Sequence, residues 1–108
     1  MALFMTQIAY TSEAWAAQLK NPQDRRPVFA GLAERCGGKL RDAYLSFGDY
    51  DVVVIYEVPD AKAAAAVAMR IAAGGHCKSV KTTELLTVED GVAAMRQVGD
   101  VSYQVPGQ

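Results

Sequence analysis

The stretch from Phe47 to Asp60 reads FGDYDVVVIYEVPD, and it decides the fold. Gly48 predicts a turn, because a positive φ costs glycine less than any other residue. The β-branched run from Val52 to Ile55 predicts a strand over Asp51 to Val58. Pro59-Asp60 stops that strand and supplies a residue that caps helix N-termini. The segment therefore contains a hairpin turn, a strand and the start of a helix.

Hydrophobic periodicity and turn residues predict the other elements on either side of this segment. We expect a strand at 2–10, a short helix capped by Thr11 or Ser12 and ending at Leu19, a helix from about Asp24 to Arg35, a strand at 39–47, the strand at Asp51–Val58, a helix at Ala61–Ala73, a strand at 78–86 and a helix from Thr87 to about Gln97. Residues 1–98 thus form one α+β domain, and residues 99–108 form a C-terminal tail.

The order β-α-β-β-α-β with an additional C-terminal helix is typical of the ferredoxin-like fold. Right-handed crossovers place the first and third strands in the centre of such a sheet. Two helices should pack their apolar stripes on one face of the sheet. These stripes are Val28, Phe29, Leu32 and Cys36 in one helix, and Ala63, Ala64, Val67 and Ile71 in the other.

The first and third predicted strands are apolar on both faces, so both faces of the sheet must be covered. We expect a second copy of the chain to pack face to face on the side without helices, giving a dimeric α/β barrel with a two-fold interface. The alternative is that the terminal helix folds back over this face within one chain.

Composition restricts the class of protein. With 108 residues, 51% hydrophobic and 21% charged, the chain is expected to be one globular domain. A net charge of -1, with no basic cluster beyond Arg25-Arg26, argues against a nucleic-acid partner. The N-terminal residues show neither signal-peptide features nor a membrane-spanning length, so we expect a soluble cytoplasmic protein without a membrane partner. Cys36 and Cys77 are far apart and are expected to be free thiols.

Three residues are candidates for catalysis by proton transfer. His76 is the only histidine, and its ordinary pKa lies near neutrality. Its position just after a helix C-terminus also suits a capping or surface residue. Tyr50 and Asp51 could orient a polar ligand or act as acid and base. Alternatively, Asp51 caps amides of the turn while Tyr50 packs at the rim of the barrel.

Four aromatic residues are candidates for a small-molecule binding pocket, and otherwise belong to the core. They are Tyr10, Trp15, Tyr44 and Tyr56. Arg25 and Arg26 could hold a carboxylate ligand or could simply be solvated. No metal site is expected, because His76 and Cys77 supply at most two adjacent ligands. No cofactor is expected either, and the sequence has no Walker loop or dinucleotide-type glycine fingerprint. It also lacks a serine elbow.

Several short motifs resemble the GYD domain family, which is named for a glycine and a Tyr-Asp pair in the hairpin. They are Gly48 with Tyr50-Asp51, NPQDRR at 21–26, GGKL at 37–40, Glu57 with Pro59-Asp60, and VKTTELLT at 80–87. The resemblance covers roughly residues 8 to 96. It implies a dimeric α/β-barrel fold, and it supplies no catalytic residues because the family has no established reaction. The segment Gly75-His76-Cys77 departs from the family pattern, so any role of His76 would be special to this chain.

These observations favour a small-molecule-binding or assembly module without catalysis of its own. The alternative is a cofactor-free isomerase or monooxygenase acting on a small aromatic or polyketide-like substrate, with His76, Asp51 and Tyr50 handling protons. That alternative rests on fold analogy. A buried cleft joining at least two of the three residues would favour it, and an exposed His76 far from any cavity would count against it. A third possibility is regulation through a protein partner.

Overall fold

A computed structural model describes residues 1–107 of the chain. Its elements are β1 (Ala2–Tyr10), α1 (Ser12–Lys20), α2 (Arg26–Arg35), β2 (Lys39–Leu45), β3 (Val52–Val58), α3 (Ala61–Ala73), β4 (Cys77–Leu85) and α4 (Val88–Val98). The predicted α+β order is therefore confirmed, with every boundary within about two residues. Gln108, the last residue of the predicted tail, lies outside the described residues.

The four strands form one antiparallel sheet in the order β2-β3-β1-β4, so the predicted central strands are confirmed. Between β1 and β3, Phe4 lies opposite Tyr56 and Ile8 opposite Val52. Thr6 of β1 lies opposite Thr82 of β4 on the other side. Every hydrogen-bonded neighbour is antiparallel, as the ferredoxin-like arrangement requires.

Side-chain caps fix the starts of three helices. The hydroxyl of Thr11 accepts a hydrogen bond from the amide of Ala14 in α1 at 3.2 Å, so Thr11 rather than Ser12 is the cap. The carboxylate of Asp60 caps α3 at 3.0 Å, and the hydroxyl of Thr87 caps α4 at the same distance. These contacts satisfy amides that the helices leave without partners.

The core lies between one face of the sheet and the helices α1, α2 and α3. Along β3, alternate residues are buried from Val52 to Val58, as the two-residue period of a strand requires. In α3 the predicted stripe is confirmed, since Ala64 and Val67 are buried. In α2 the stripe was partly wrong: Val28 is exposed, and Ala33 is buried with Phe29 instead. Positions 29 and 33 are four residues apart and share a helix face, whereas position 28 is rotated away from it.

The GGKL motif has a steric explanation. The backbone at Gly38 approaches the neighbouring strand so closely that a Cβ there would overlap the carbonyl oxygen of Glu57. Only glycine permits this approach. The end of α2 and the start of β2 are therefore fixed against β3 by the absence of a side chain.

Within residues 1–107, no helix packs on the opposite face of the sheet. We call it the open face and define it by five half-buried apolar residues, which are Leu3, Met5, Val53, Ile55 and Leu85. The alternative to a dimer, in which α4 folds back over this face, is wrong, since no residue of α4 is buried. The shortest dimension of the chain is 21 Å, which accommodates the sheet and a single helix layer.

Candidate functional site

A cavity of about 210 Å³ opens between α1, the start of α2 and the hairpin strands β2 and β3. We call it the Trp15 cavity. Aromatic side chains form much of its wall, and polar and charged groups lie among them. The lining residues include Tyr10, Trp15, Phe29, Tyr44, Arg25 and Arg26.

Asp51 holds one wall of the cavity in place. Its Oδ2 atom accepts a hydrogen bond from the backbone amide of Tyr10 at 2.8 Å and another from the indole Nε1 of Trp15 at 3.2 Å. The amide of Asp51 in turn donates to the carbonyl of Ile8 at 2.8 Å. The carboxylate therefore joins β1, α1 and the start of β3, and its partners lie outside the turn whose amides it was expected to cap.

The two aromatic residues held by Asp51 also pack on each other. The rings of Tyr10 and Trp15 meet edge to face, with centroids 5.6 Å apart and planes at 82°. Such pairs contribute about 0.5–1.5 kcal/mol beyond their buried area. This wall is therefore formed before any ligand arrives.

The two arginines of the cavity differ in their partners. Arg26 binds the carboxylate of Asp24, with a shortest N–O distance of 2.7 Å. The hydrogen bond from Arg26 lowers the pKa of Asp24 to about 2. Within residues 1–107, Arg25 forms no salt bridge. Burial raises the pKa values of Tyr10 and Cys77, and the positive charge of Arg25 opposes both rises.

Three of the four aromatic residues proposed for a binding pocket line this cavity: Tyr10, Trp15 and Tyr44. Tyr56 does not line it. Its side chain is only 1% exposed, and its hydroxyl hydrogen-bonds Thr6 Oγ1 at 2.8 Å. Burial raises the pKa of the Tyr56 hydroxyl.

The three candidates for proton transfer do not line the Trp15 cavity. His76 is exposed, and its carbonyl accepts a hydrogen bond from the amide of Thr11 at 3.0 Å. Tyr50 is half-buried, and its carbonyl accepts from Ser46 Oγ at 2.9 Å. The carboxylate of Asp51 is engaged by Tyr10 and Trp15. The structure thus places all three near the same end of the sheet without directing them into this cavity.

Some lining residues carry no direct signal in the sequence. Phe29 was predicted as core, and Gln18 and Gln23 were not singled out. Gln18 lies in α1, Gln23 in the segment between α1 and α2, and Phe29 in α2, so their shared position depends on how the two helices pack on the sheet. The sequence did offer Arg25 and Arg26 as candidate ligand-binding residues. Phe29 follows them by about one helical turn and therefore lies close to them in space.

Across residues 1–107, no three His, Cys, Asp or Glu side chains converge closely enough to hold a metal ion. No helix in the same part of the chain is both long and apolar enough to cross a membrane.

A four-stranded antiparallel sheet with helices on one face places the protein in the ferredoxin-like class of α+β folds. The family comparison then gives a narrower identity. The GYD domain model matches residues 4–95, and the chain belongs to the GYD domain family. This match confirms the resemblance seen in the sequence.

Three solved structures share the fold at low sequence identity. FFRP-DM1 is 15% identical with a TM-score of 0.50, over 80% of this chain and 100% of that one. TTHA0845 from Thermus thermophilus is 14% identical with a TM-score of 0.53, over 81% of this chain and 95% of that one. MtbAldR (Rv2779c) is 14% identical with a TM-score of 0.57, over 80% of this chain and 53% of that one. Comparison with curated proteins finds no match. These similarities concern the fold alone.

Proposed function

We propose that the protein is a small-molecule-binding module that works as a homodimer, and that the Trp15 cavity is its binding site. The observation that carries the proposal is the cavity itself, where aromatic walls surround a few polar groups. Ligand sites commonly combine these two features. At about 210 Å³ the cavity is smaller than the ~300–1,000 Å³ pockets of drug-sized ligands, so we expect a compound of about one ring.

The preformed wall supports this assignment. Trp15 is fixed by Asp51 and by its edge contact with Tyr10 before a ligand binds. A ligand entering such a site does not have to order these side chains, and affinity is gained when that cost is absent.

Trp15 is the only tryptophan, so its fluorescence reports on the cavity directly. We expect single-ring compounds to shift or quench this emission. Ala43 also lines the cavity, and Ala43→Leu should fill part of it and weaken the response. Ala65→Leu is the matched control, because Ala65 is exposed on α3. The proposal fails if no compound in a broad single-ring panel changes the emission, or if Ala43→Leu responds like the control.

The open face supports the homodimer. Four of its five apolar residues lie on the central strands β1 and β3 and the fifth on the edge strand β4, and no helix within residues 1–107 covers them. Burying such a face against a second copy removes apolar surface from water, at about 25 cal/mol per Å². Size-exclusion chromatography with light scattering should give twice the mass of one chain, and a monomer at micromolar concentration would contradict the assignment.

Nothing at the Trp15 cavity favours the isomerase or monooxygenase alternative. The condition set for it, a cleft joining two of His76, Asp51 and Tyr50, is not met by this cavity. His76 is exposed. The cytoplasmic location stays a prediction from the sequence.

A further inference from the structure

We infer that the Trp15 cavity takes an aromatic carboxylate, whose carboxylate group is bound by the guanidinium of Arg25. This inference rests on the proposed function, because it names the class of ligand for the same site. Four observations carry it: the charges around the cavity, the place of Arg25, the neighbouring phenol and the aromatic walls.

The charges at the cavity leave one cation without a carboxylate partner. Three charged residues line it, which are Asp24, Arg25 and Arg26. Asp24 and Arg26 neutralise each other through three hydrogen bonds between their side chains. Arg25 therefore supplies the remaining positive charge.

Two carboxylates outside the lining have to be considered. Asp42 accepts a hydrogen bond from the hydroxyl of Tyr44 at 3.1 Å and acts electrostatically on Arg26. Asp51 does not line the cavity, and its Oδ2 already accepts hydrogen bonds from Tyr10 and Trp15. The hydrogen bonds from these two donors partly offset its negative charge. It weakens but does not remove the attraction between Arg25 and an anion, because an ion-pair partner of Arg25 would sit closer to the guanidinium.

The backbone of Arg25 is held at the start of α2. Its carbonyl accepts hydrogen bonds from the amides of Val28 at 3.0 Å and Phe29 at 3.3 Å. The side chain therefore extends from a fixed point, and its planar fork matches the geometry of a carboxylate. The phenol of Tyr10 lies near the same guanidinium, and it is protonated near neutral pH because an ordinary tyrosine pKa is about 10 and burial raises it. It is thus a second donor for an anionic oxygen.

The rest of the wall suits an aromatic ring. Trp15, Phe29 and Tyr44 line the cavity, and rings of this kind pack on a planar ligand in offset or edge-to-face contact. An aliphatic acid would use Arg25 but not these faces. An organic cation would use the faces but would be repelled by Arg25. An aromatic ring bearing a carboxylate uses both.

The test compares benzoate with benzamide, which has the same ring and nearly the same shape but no charge. Trp15 fluorescence is titrated with each compound at low salt in the full-length protein. We expect benzoate to bind more tightly than benzamide. In Arg25→Gln, benzoate affinity should fall about tenfold or more, since a charge-assisted bidentate contact is lost, while benzamide affinity should fall much less, because its amide carries no charge. In Arg25→Lys, which keeps the charge and loses the fork, an intermediate loss is expected.

Arg35→Gln is the matched control, because Arg35 is exposed in the last turn of the same helix. Circular dichroism establishes that each variant is folded. Equal binding of benzoate and benzamide to the wild type would overturn the inference and leave the proposed function standing, as would unchanged benzoate binding in a folded Arg25→Gln protein. If the wild type responds to no compound in the broad panel, the proposed function itself fails.

Discussion

Replacing Asp51 by alanine is expected to lower the free energy of unfolding by about 2–4 kcal/mol. One carboxylate oxygen accepts two hydrogen bonds, from the Tyr10 amide at 2.8 Å and the Trp15 indole at 3.2 Å. A hydrogen bond to a charged group contributes about 1.5–3 kcal/mol, and we place the longer one at or below the lower limit. Asp51→Asn keeps an oxygen in place without its charge, so it should cost only about 1 kcal/mol.

Urea unfolding followed by far-ultraviolet circular dichroism measures these differences. All proteins are compared at one concentration, since the stability of a dimer depends on it. Asp49→Ala is the control: Asp49 is exposed at the hairpin tip, and a change within about ±0.5 kcal/mol is expected.

A double-mutant cycle isolates the bond to the indole. Trp15→Phe removes the donor, so the effects of Asp51→Ala and Trp15→Phe should overlap by about 1 kcal/mol when the two are combined. The reasoning would be refuted if Asp51→Ala were as stable as the Asp49→Ala control. Strict additivity in the cycle would refute the assigned role of the Trp15 contact.

Three further predictions follow from other parts of the structure. Gly38→Ala should destabilise by at least about 2 kcal/mol in urea unfolding, because its Cβ would overlap the backbone of β3; a neutral effect would contradict this packing. Met5→Glu on the open face should give monomers in light scattering. Met69→Glu should leave the dimer intact, because Met69 lies on the outer side of α3 and is 69% exposed. Equal masses for the two variants would contradict the proposed interface. NMR titration should give Asp24 a pKa of about 2, and in Arg26→Gln this pKa should return toward 3.8. Because the pKa is lowered in the folded state, any stabilisation of the fold by this ion pair is present above about pH 4 and is lost as the pH falls toward 2.

The elements of the fold could be predicted because local residues determine them. Gly48 and Pro59-Asp60 bound β3, and the alanine-rich stripe of α3 has the correct helical period. The stripe of α2 was harder to predict, because Val28 and Ala33 are both apolar and the rotation of the helix about its own axis decides which of them is buried. Local pattern alone does not determine such a rotation.

The partners of Asp51 could not be predicted for a different reason. Tyr10 and Trp15 lie 41 and 36 positions before it in the chain. A carboxylate after a turn ordinarily bonds to nearby amides, and this expectation is sound for isolated turns. Here the antiparallel pairing of β1 with β3 sets Asp51 beside the end of β1, and its carboxylate accepts hydrogen bonds from Tyr10 there and from Trp15 in the adjoining α1.

The Gly-Asp-Tyr-Asp hairpin therefore links the fold to the candidate site. Gly48 has a φ of +115°, which reverses the chain, and Asp51 then reaches the end of β1 and the indole of Trp15. The same carboxylate thus stabilises the domain and positions one wall of the cavity. Asp51→Asn separates these two roles, because it retains most of the stability while weakening the bond that orients Trp15. If the hairpin serves the site, this variant loses ligand affinity by a larger factor than Asp49→Ala does, although both remain folded.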